Sequence, residues 1–597
     1  MSQSTPQTSK IYTSLLQPLC TACVAFCSLI WLWSMTPAVT AGPLPPSLPN
    51  GVAAGDVSQT GAVLWTHSTA LGVVTFTYGT DITATIATIT RTVTGPLLPV
   101  TVTLSNLTPN THYQYQVVNT VGANATGQFT TAASVEQSTG LRFGVSGDSR
   151  GELSPFVALN NAPGRQLNFF VEEGDTIYAD YPSPAVPISQ ATTLDEFRLK
   201  HSEVYSTRLG VNLLAALRAS TASFATPDDH EVLNNFAGGA NAASDPRFHT
   251  ASGLINDTAL FENGMQAFQE YNPLRSEFYG MVGGDGRMDN ERKFYRYRTF
   301  GKDAALLILD NRSFRDAPIT ALANLSDLTR FLSDAFQAGR TLLGSQQLQD
   351  VKANLLDAQQ KGITWKFIAV PEPIQNLGPA AAEDRFEGYA AERNELLKFV
   401  TDNQISNVVF VAADIHGTIV NNLTYQTGVN QPQIQTGAFE VIVGPVAYDA
   451  PFGPTIVGIA TQLGLLSEAQ VTQYNALPIK NDADSTVDDK DDFIKSLLNQ
   501  QFQLLGYDNV GLDSSPIAAT LRQGDYVAVH TFGWTEFEIA KDTQVLTVTT
   551  YGVPAYTPAD VLSNPAAITA RTPAIVSQFR VNPVRSATTV FLPVIQR

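Results

Sequence analysis

Cysteine is nearly missing from this chain. Three occur in 597 residues, Cys20, Cys23 and Cys27, and all lie in one uncharged N-terminal run, "LCTACVAFCSLIWLWSM". Lys10 is the only charged residue before Ala41, and the small-residue segment "AVTAGP" follows the run. That order is the order of a secretory signal, expected over residues 1–41 with cleavage after Ala41. The alternative is an uncleaved anchor, since the run reaches about the lower length for spanning a bilayer. Once the signal is removed the chain holds no cysteine, which excludes a disulfide framework and any thiolate ligand. A metal would have to take oxygen and nitrogen donors. No twin-arginine pair precedes the run, so export of an unfolded chain is expected, to the outside of the cell, the periplasm or the cell envelope.

Basic charge is scarce as well. Thirty-six Lys and Arg face 54 Asp and Glu, a net charge of −18, which argues against a nucleic-acid partner because nothing offsets phosphate repulsion. A small phosphorylated substrate is not excluded, provided bound cations reverse the local field. There is no internal repeat. The Gly-rich "FAGGANAAS" lacks the Lys-Ser/Thr that a phosphate-binding loop requires. No stable membrane span is expected after signal cleavage, and the sequence leaves the oligomeric state open.

What is present is a long, β-rich, turn-rich chain, 44% hydrophobic and 15% charged, which implies two or more folded domains. Residues 42–134 read as an all-β sandwich: "GAVLWTHST", "GVVTFTYGT", "PVTVTLSNL", "THYQYQVVN" and "ATGQFTTAA" are short strand-like runs between turns. The stretch "LSNLTPNTHYQYQVV" resembles fibronectin type III and Ig-like modules. From residue 140 to 555, apolar strand-like runs alternate with helical patterns such as "QQLQDVKANLLDAQQKG" and "AAERNELLKFVTDN", which indicates α/β layering. Residues 449–520 read as an acidic insertion. Its run "NDADSTVDDKDD" fails as a calcium loop begun at Asp482, because Val487 stands where Gly is needed and Phe493 where Glu is needed. It reads as acidic capping on a solvated helix face. Residues 556–597 read as a Pro- and Ala-rich tail.

Four strand-like runs end in polar residues: "LRFGVSGDSRG" at Asp148, "LNFFVEEGDTIY" at Asp175, "ASFATPDDHEV" at Asp229 and "VVFVAADIHG" at Asp414. Ligand sites in open α/β sheets collect beyond such ends. Taken singly each residue has a duller reading: Asp148 or Asp175 as a helix cap, Tyr178 as a core residue with its hydroxyl at the rim, His230 and His416 as structural histidines. Taken together and in order they point to a pair of metals held about 3.5–4 Å apart, which would clamp phosphoryl oxygens and generate hydroxide near neutral pH. Asp175 is the natural bridge. Tyrosine coordinates well only as phenolate, so its pKa of about 10 must yield to a strong Lewis acid, and Tyr178 therefore implies Fe³⁺. Arg150 is expected to reach a phosphate or to form a surface ion pair. Asn234 and Asn235 read as further ligands or as turn residues. Arg312 and Arg315 read as lesser site candidates or as loop ties through salt bridges, and Glu372 as an additional candidate ligand.

"GDSRG", "GDTIYAD", "DDHEVLNN" and "ADIHG" resemble the metal-binding blocks of calcineurin-like metallophosphoesterases, and "GDTIYAD" is similar to the purple acid phosphatase block. With "FYRYRTFGKDAALLILDNRSFR", "LLGSQQLQDVKANLL" and "ITWKFIAV", the fuller resemblance is to the PhoD-like alkaline phosphatase/phosphodiesterase family. The resemblance implies an α/β fold, a metallophosphoesterase-type β-sandwich flanked by helices behind the all-β domain. It implies a ferric site of Asp148, Asp175, Tyr178 and His416, a second site of Asp175, Asp229 and Asp414, and His230 facing the substrate as phosphate donor or leaving-group acid. Relatives often carry a cysteine at the first strand end, where this chain has Asp148. The oxygen donors Asp229 and Asp414 favour Ca²⁺ or Mn²⁺ over Zn²⁺ at the second site. The expected function is hydrolysis of phosphate mono- or diesters by a secreted enzyme. The alternatives are a phospholipase-type or nucleotide phosphodiesterase and a non-catalytic cell-surface binding protein.

Overall fold

The structure, a computed structural model, describes residues 45–585 except residues 82–83, 251, 285, 323, 379–380 and 485. The expected signal, residues 1–41, lies outside the described residues. Seven strands come first: β1 (Val52–Gly55), β2 (Ala62–Thr66), β3 (Gly72–Asp81), β4 (Ala84–Val93), β5 (Val100–Leu104), β6 (His112–Val118) and β7 (Asn124–Thr130). β6 alternates as a half-buried strand should, with Tyr113, Tyr115 and Val117 inward. Tyr113 Oη accepts from Thr108 N at 2.9 Å and so pins the turn that leads into the strand.

The larger part adds β8 (Leu141–Ser149), β9 (Phe169–Glu173), β10 (Ala222–Thr226), β11 (Arg296–Phe300), β12 (Ala304–Ile308), β13 (Trp365–Ala369) and β14 (Val408–Ala412). After these come β15 (Thr418–Tyr425), β16 (Ile434–Ile442), β17 (Pro445–Ala447), β18 (Ala519–Gly524), β19 (Val527–Ala528), β20 (Thr531–Ile539), β21 (Leu546–Pro554) and β22 (Ala574–Val581). One sheet runs β18-β22-β21-β20-β8-β9-β10-β1-β2-β5, with β17 also on β8; a second runs β11-β12-β13-β14-β16-β15-β19; a third runs β4-β3-β6-β7. The first sheet does not respect the change of texture near residue 140. β1 pairs in parallel with β10, Ala54 opposite Ala222, so three strands of the N-terminal segment extend the sheet of the larger part.

The two large sheets pack face to face through phenylalanines. Phe143 of β8 meets Phe367 of β13 edge-on at 4.9 Å, and Phe169 of β9 stacks on Phe300 of β11 at 4.5 Å. β8, β9 and β10 are mutually parallel, as are β12, β13 and β14. Their central residues are apolar and buried on both faces, which parallel strands covered on both sides require.

Helices cover these faces: α1 (Leu194–Val204), α2 (Leu213–Ser220), α3 (Ala259–Tyr271), α4 (Leu328–Ala335), α5 (Ser345–Gln360) and α6 (Ala390–Asp402). In α5, Leu348, Val351, Leu355 and Ala358 bury one stripe at helical spacing. Each of the larger three side chains is worth roughly 1.5–3 kcal/mol on burial. The 449–520 segment forms α7 (Phe452–Gln462), α8 (Glu468–Ala476) and α9 (Lys490–Leu505), and Gly506 closes α9 in the left-handed conformation at φ 73°.

The segment from 556, read above as a tail, carries α10 (Pro558–Ser563), α11 (Pro565–Thr569) and β22, and β22 is hydrogen-bonded to both β18 and β21. Its Pro and Ala content hid a strand, "AIVSQFRV", whose Val576, Phe579 and Val581 are buried. Among the described residues no helix is long and apolar enough to cross a membrane.

Candidate metal centre

The parallel strands of both sheets end at one edge, and the chain turns sharply after each. Asp148 (φ 58°), Asp175 (φ 50°), Asp414 (φ 64°) and His416 (φ 60°) all hold the left-handed conformation. It costs a non-glycine residue about 1–2 kcal/mol, and such outliers gather at functional sites. The glycines before two of them are required by contact. A Cβ on Gly147 would stand 2.7 Å from Glu173 O and 2.9 Å from Ala413 Cβ; on Gly174, at φ 76°, it would stand 2.6 Å from Asp228 Cβ. Each Gly-Asp pair thus lets neighbouring strand ends close up and turns a carboxylate into the gap.

Three groups of donors result, each with ligand atoms within 4.8 Å of one another: Asp148, Asp175 and His416; Asp175, Asp229 and His230; Asp228, Glu372 and Asp414. Asp175 belongs to the first two. Asp148, Asp175 and Asp229 are at most 2% exposed. Both carboxylate oxygens of Asp148, Asp229 Oδ1 and the Tyr178 hydroxyl are buried without hydrogen-bond partners. Buried acceptors in that condition cost free energy unless cations meet them, so this donor set fits metal ions. His416 Nε2 lies 3.3 Å from Asp148 Oδ1, and its ring stacks on Tyr448 at 3.5 Å.

The electrostatics agree. Burial, then Asp229, Asp228 and Asp148, hold the Asp175 carboxyl well above the usual carboxylate range. Burial opposes ionisation of Asp229, but His230 and Arg312 outweigh it and hold this carboxyl below that range. Burial followed by Asp175 and Asp148 pushes the Tyr178 phenol far up, so phenolate there requires a strong Lewis acid. Burial disfavours charge on His230, but Asp229 and Asp180 overcome it and raise the imidazole to about 9.

The expected residues divide as follows. Asp148, Asp175, His416 and Asp229 come together, with Tyr178 packed against His230 at 4.3 Å between ring centres. Asp414, expected with Asp175 and Asp229, lies in the group with Asp228 and Glu372, and both Asp228 and Asp229 act on its carboxyl. Glu372 offers an unpartnered Oε2 while Oε1 accepts from Arg312 and Arg315. Asn234 is exposed, and its backbone amide donates to Asp180 Oδ2 at 2.9 Å. Arg150 pairs with Glu152, lies 3.6 Å from Asp449, and rests over Tyr181 at 4.5 Å and Tyr448 at 5.5 Å. Arg312 and Arg315 are fully buried ties: Arg312 binds Asp228, Glu372 and Asp384, and Arg315 binds Asp384 and the Asn311 carbonyl.

Sequence reasoning missed several residues. Glu231 accepts from Thr176 N and Oγ1, both at 2.6 Å, and from Asp228 N at 2.8 Å, locking two strand-end turns together. Asp180 orients His230. Tyr448, just after β17, backs His416. "DDHE" signalled the region, but nothing local tells which of two adjacent aspartates turns inward.

A family model described as PhoD-like phosphatase matches residues 144–485, more than half of the chain, and one described as the PhoD-like phosphatase N-terminal domain matches residues 34–133. Alkaline phosphatase D of Bacillus subtilis (strain 168) is 27% identical over 291 residues, which cover 45% of this chain and 44% of that protein. The chain therefore aligns with less than half the length of that relative. A solved structure described as PhoD superposes with a TM-score of 0.62 at 19% identity, covering 92% of this chain and 94% of the other. That likeness establishes a shared α/β fold.

Proposed function

This chain belongs to the PhoD-like phosphatase family, and from that membership we propose that it is a metal-dependent phosphoesterase acting on small phosphate mono- or diesters outside the cytoplasm. The observation that carries the reading is the pair of donor groups sharing Asp175, with unpartnered oxygens on Asp148, Asp229 and Tyr178. Asp148, Asp175, Tyr178 and His416 would hold Fe³⁺. Asp175 and Asp229, with His230 beside them, would hold a second ion for which oxygen donors favour Ca²⁺ or Mn²⁺. Asp414 and Glu372 stand next to that position as further donors. Such a pair, when bound, offsets phosphoryl charge and lowers the pKa of water at the ester.

The chain's own residues supply the rest. Asp180 Oδ1 takes the proton side of His230 Nδ1 at 2.6 Å, which leaves Nε2 to face the donors and to pass a proton to the departing oxygen. Arg150 presents a guanidinium beside Tyr178, Tyr181 and Tyr448, placed to meet a phosphoryl oxygen. That cation is already paired with Glu152 and Asp449, which favours a singly charged diester over a doubly charged monoester.

The test is hydrolysis of a chromogenic monoester and a chromogenic diester before and after chelation, then after reloading with iron and calcium. Turnover is expected to vanish on chelation and return on reloading, with the diester turned over faster. Absence of turnover on both esters after reloading would move the assignment to a non-catalytic binding protein.

A further inference from the structure

The acidic run of the helical segment is exposed along most of its length and becomes buried where it enters α9. Asp489 does cap α9, its side chain accepting from Asp492 N at 2.9 Å. Yet Asp489 is only 1% exposed and Asp492 only 5%. Asp482 and Asp488 reach the same point from the preceding loop. One carboxylate oxygen from each of Asp482, Asp488, Asp489 and Asp492 lies within 4.8 Å of all the others.

Calcium binds oxygen at about 2.3–2.6 Å, so two oxygens on opposite sides of one ion stand roughly 4.6–5.2 Å apart. Four carboxylate oxygens gathered inside that span suit a single hard divalent ion.

One lysine meets the cluster, at Asp488 and Asp482. Lys480 Nζ is 2.6 Å from Asp488 and 4.0 Å from Asp482, at the exposed side. Lys495, the next cation along α9, is held by both oxygens of Asp525 at 2.8 and 2.7 Å. The amides of the first turn are also taken, Lys490 N by Pro478 O at 2.9 Å and Asp492 N by Asp489. On the buried side, Asp492 Oδ2 has no hydrogen-bond partner. Asp492 brings one oxygen to three other carboxylates while its buried Oδ2 has no donor, an arrangement that a cation satisfies well.

We propose that Asp482, Asp488, Asp489 and Asp492 form a structural site for a hard divalent cation, with calcium as the probe, separate from the candidate metal centre. It is not an EF-hand: its donors are a loop aspartate, the residue before a helix cap, the cap itself and the first turn. The bound ion fastens Asp482 and Asp488 to the start of α9. Phe493, Ile494, Leu497, Leu498 and Phe502 of α9 pack with Val457 of α7 and Tyr474 of α8, so the ion secures the whole helical segment.

The test compares the full chain, its catalytic centre loaded, with Asp492→Asn and Asp488→Asn. Calcium per chain is measured by titration calorimetry, Tm with and without calcium, and tryptic cleavage at Lys480 and Lys490. Each variant is expected to bind one calcium fewer, to lose most of the calcium-dependent rise in Tm, and to lose at least tenfold of the calcium protection against cleavage. Turnover at saturating metal should be unchanged, and without calcium Asp492→Asn should melt no lower than the parent. If Asp492→Asn does not fold, Asp488→Asn decides, because that side chain is 46% exposed. Equal calcium stoichiometry and equal calcium protection in the parent and Asp488→Asn would overturn the proposal.

Discussion

Asp180 and His230 are joined side chain to side chain, Oδ1 to Nδ1 at 2.6 Å, and the second Asp180 oxygen accepts from the Asn234 amide. Asp180 is therefore anchored itself and fixes which imidazole nitrogen turns toward Asp229, whose Oδ1 lies 4.0 Å from Nε2. Orientation by such a partner is worth about 10- to 100-fold. Asp180→Asn should lower kcat by that factor and leave KM and metal content unchanged. His230→Gln should cost about 10²- to 10⁴-fold if the ring serves as acid. Steady-state kinetics with metal analysis of both variants separates orientation from ligation, and full kcat in Asp180→Asn would refute the orienting role.

Tyr178 offers a sharper probe of metal identity. Its hydroxyl is buried without a partner, so Tyr178→Phe removes a donor without opening a large cavity. Iron per chain should fall and the visible phenolate-to-iron absorption should disappear, while the second ion stays. Asp175→Asn, by removing the shared carboxylate, should deplete both. Elemental analysis and an absorption spectrum distinguish these patterns; unchanged iron and colour in Tyr178→Phe would rule out the phenolate ligand.

Arg312 carries a different load. It is fully buried and bound to Asp228, Glu372 and Asp384. Removing one partner of a buried ionic network strands the others, at a cost of about 3–5 kcal/mol. Arg312→Met should lower the urea midpoint accordingly. Arg312→Lys should fall between, because one ammonium cannot serve three carboxylates as a planar fork does. A midpoint within error of the parent for Arg312→Met would contradict this account.

His201, in α1, gives a pH prediction free of metals. Its ring is buried, stacked on Tyr271 at 5.5 Å, and neither nitrogen has a partner. Burial and then Arg218 depress its pKa from 6.5 to about 3. The unfolded chain takes up a proton below pH 6.5 that the folded chain refuses, so stability is whole above 6.5 and falls as pH drops toward 3. Each unit in that window costs about 1.4 kcal/mol. His201→Phe should remove roughly 2–3 kcal/mol of the loss between pH 6.5 and 4.5, read from denaturant curves at the two pH values. Parallel pH slopes in parent and variant would show that His201 titrates normally.

The ends of the central strands were legible because polar residues closing an apolar run are a local pattern. Asp148, Asp175, Asp229, Asp414 and His416 all carry that mark, and so do the helices α5, α6 and α9. What was not legible depended on distance along the chain. Tyr448 backs His416 only because β17 lies beside β8. Asp414 groups with Glu372 because β13 and β14 are neighbours, a fact of sheet order. The burial of Asp489 and Asp492 was equally hidden, since an acidic run looks the same whether it meets water or its own loop. The strand β22 escaped notice because proline and alanine on either side of it suggested a linker.

The pairing of β1 with β10 reaches beyond architecture. Cutting the gene between the two family matches, after residue 133, would leave the amides and carbonyls of β10 open along a bare sheet margin, an invitation to strand addition by other chains. A fragment beginning near residue 140 is therefore a poor reagent, and a front segment transplanted from a relative must arrive with a strand that β10 accepts. Biogenesis meets the same demand. At about 5–20 residues per second, a ribosome makes β1 roughly ten seconds or more before its partner exists. For that interval the front of the protein must be kept from finishing itself with the wrong neighbour.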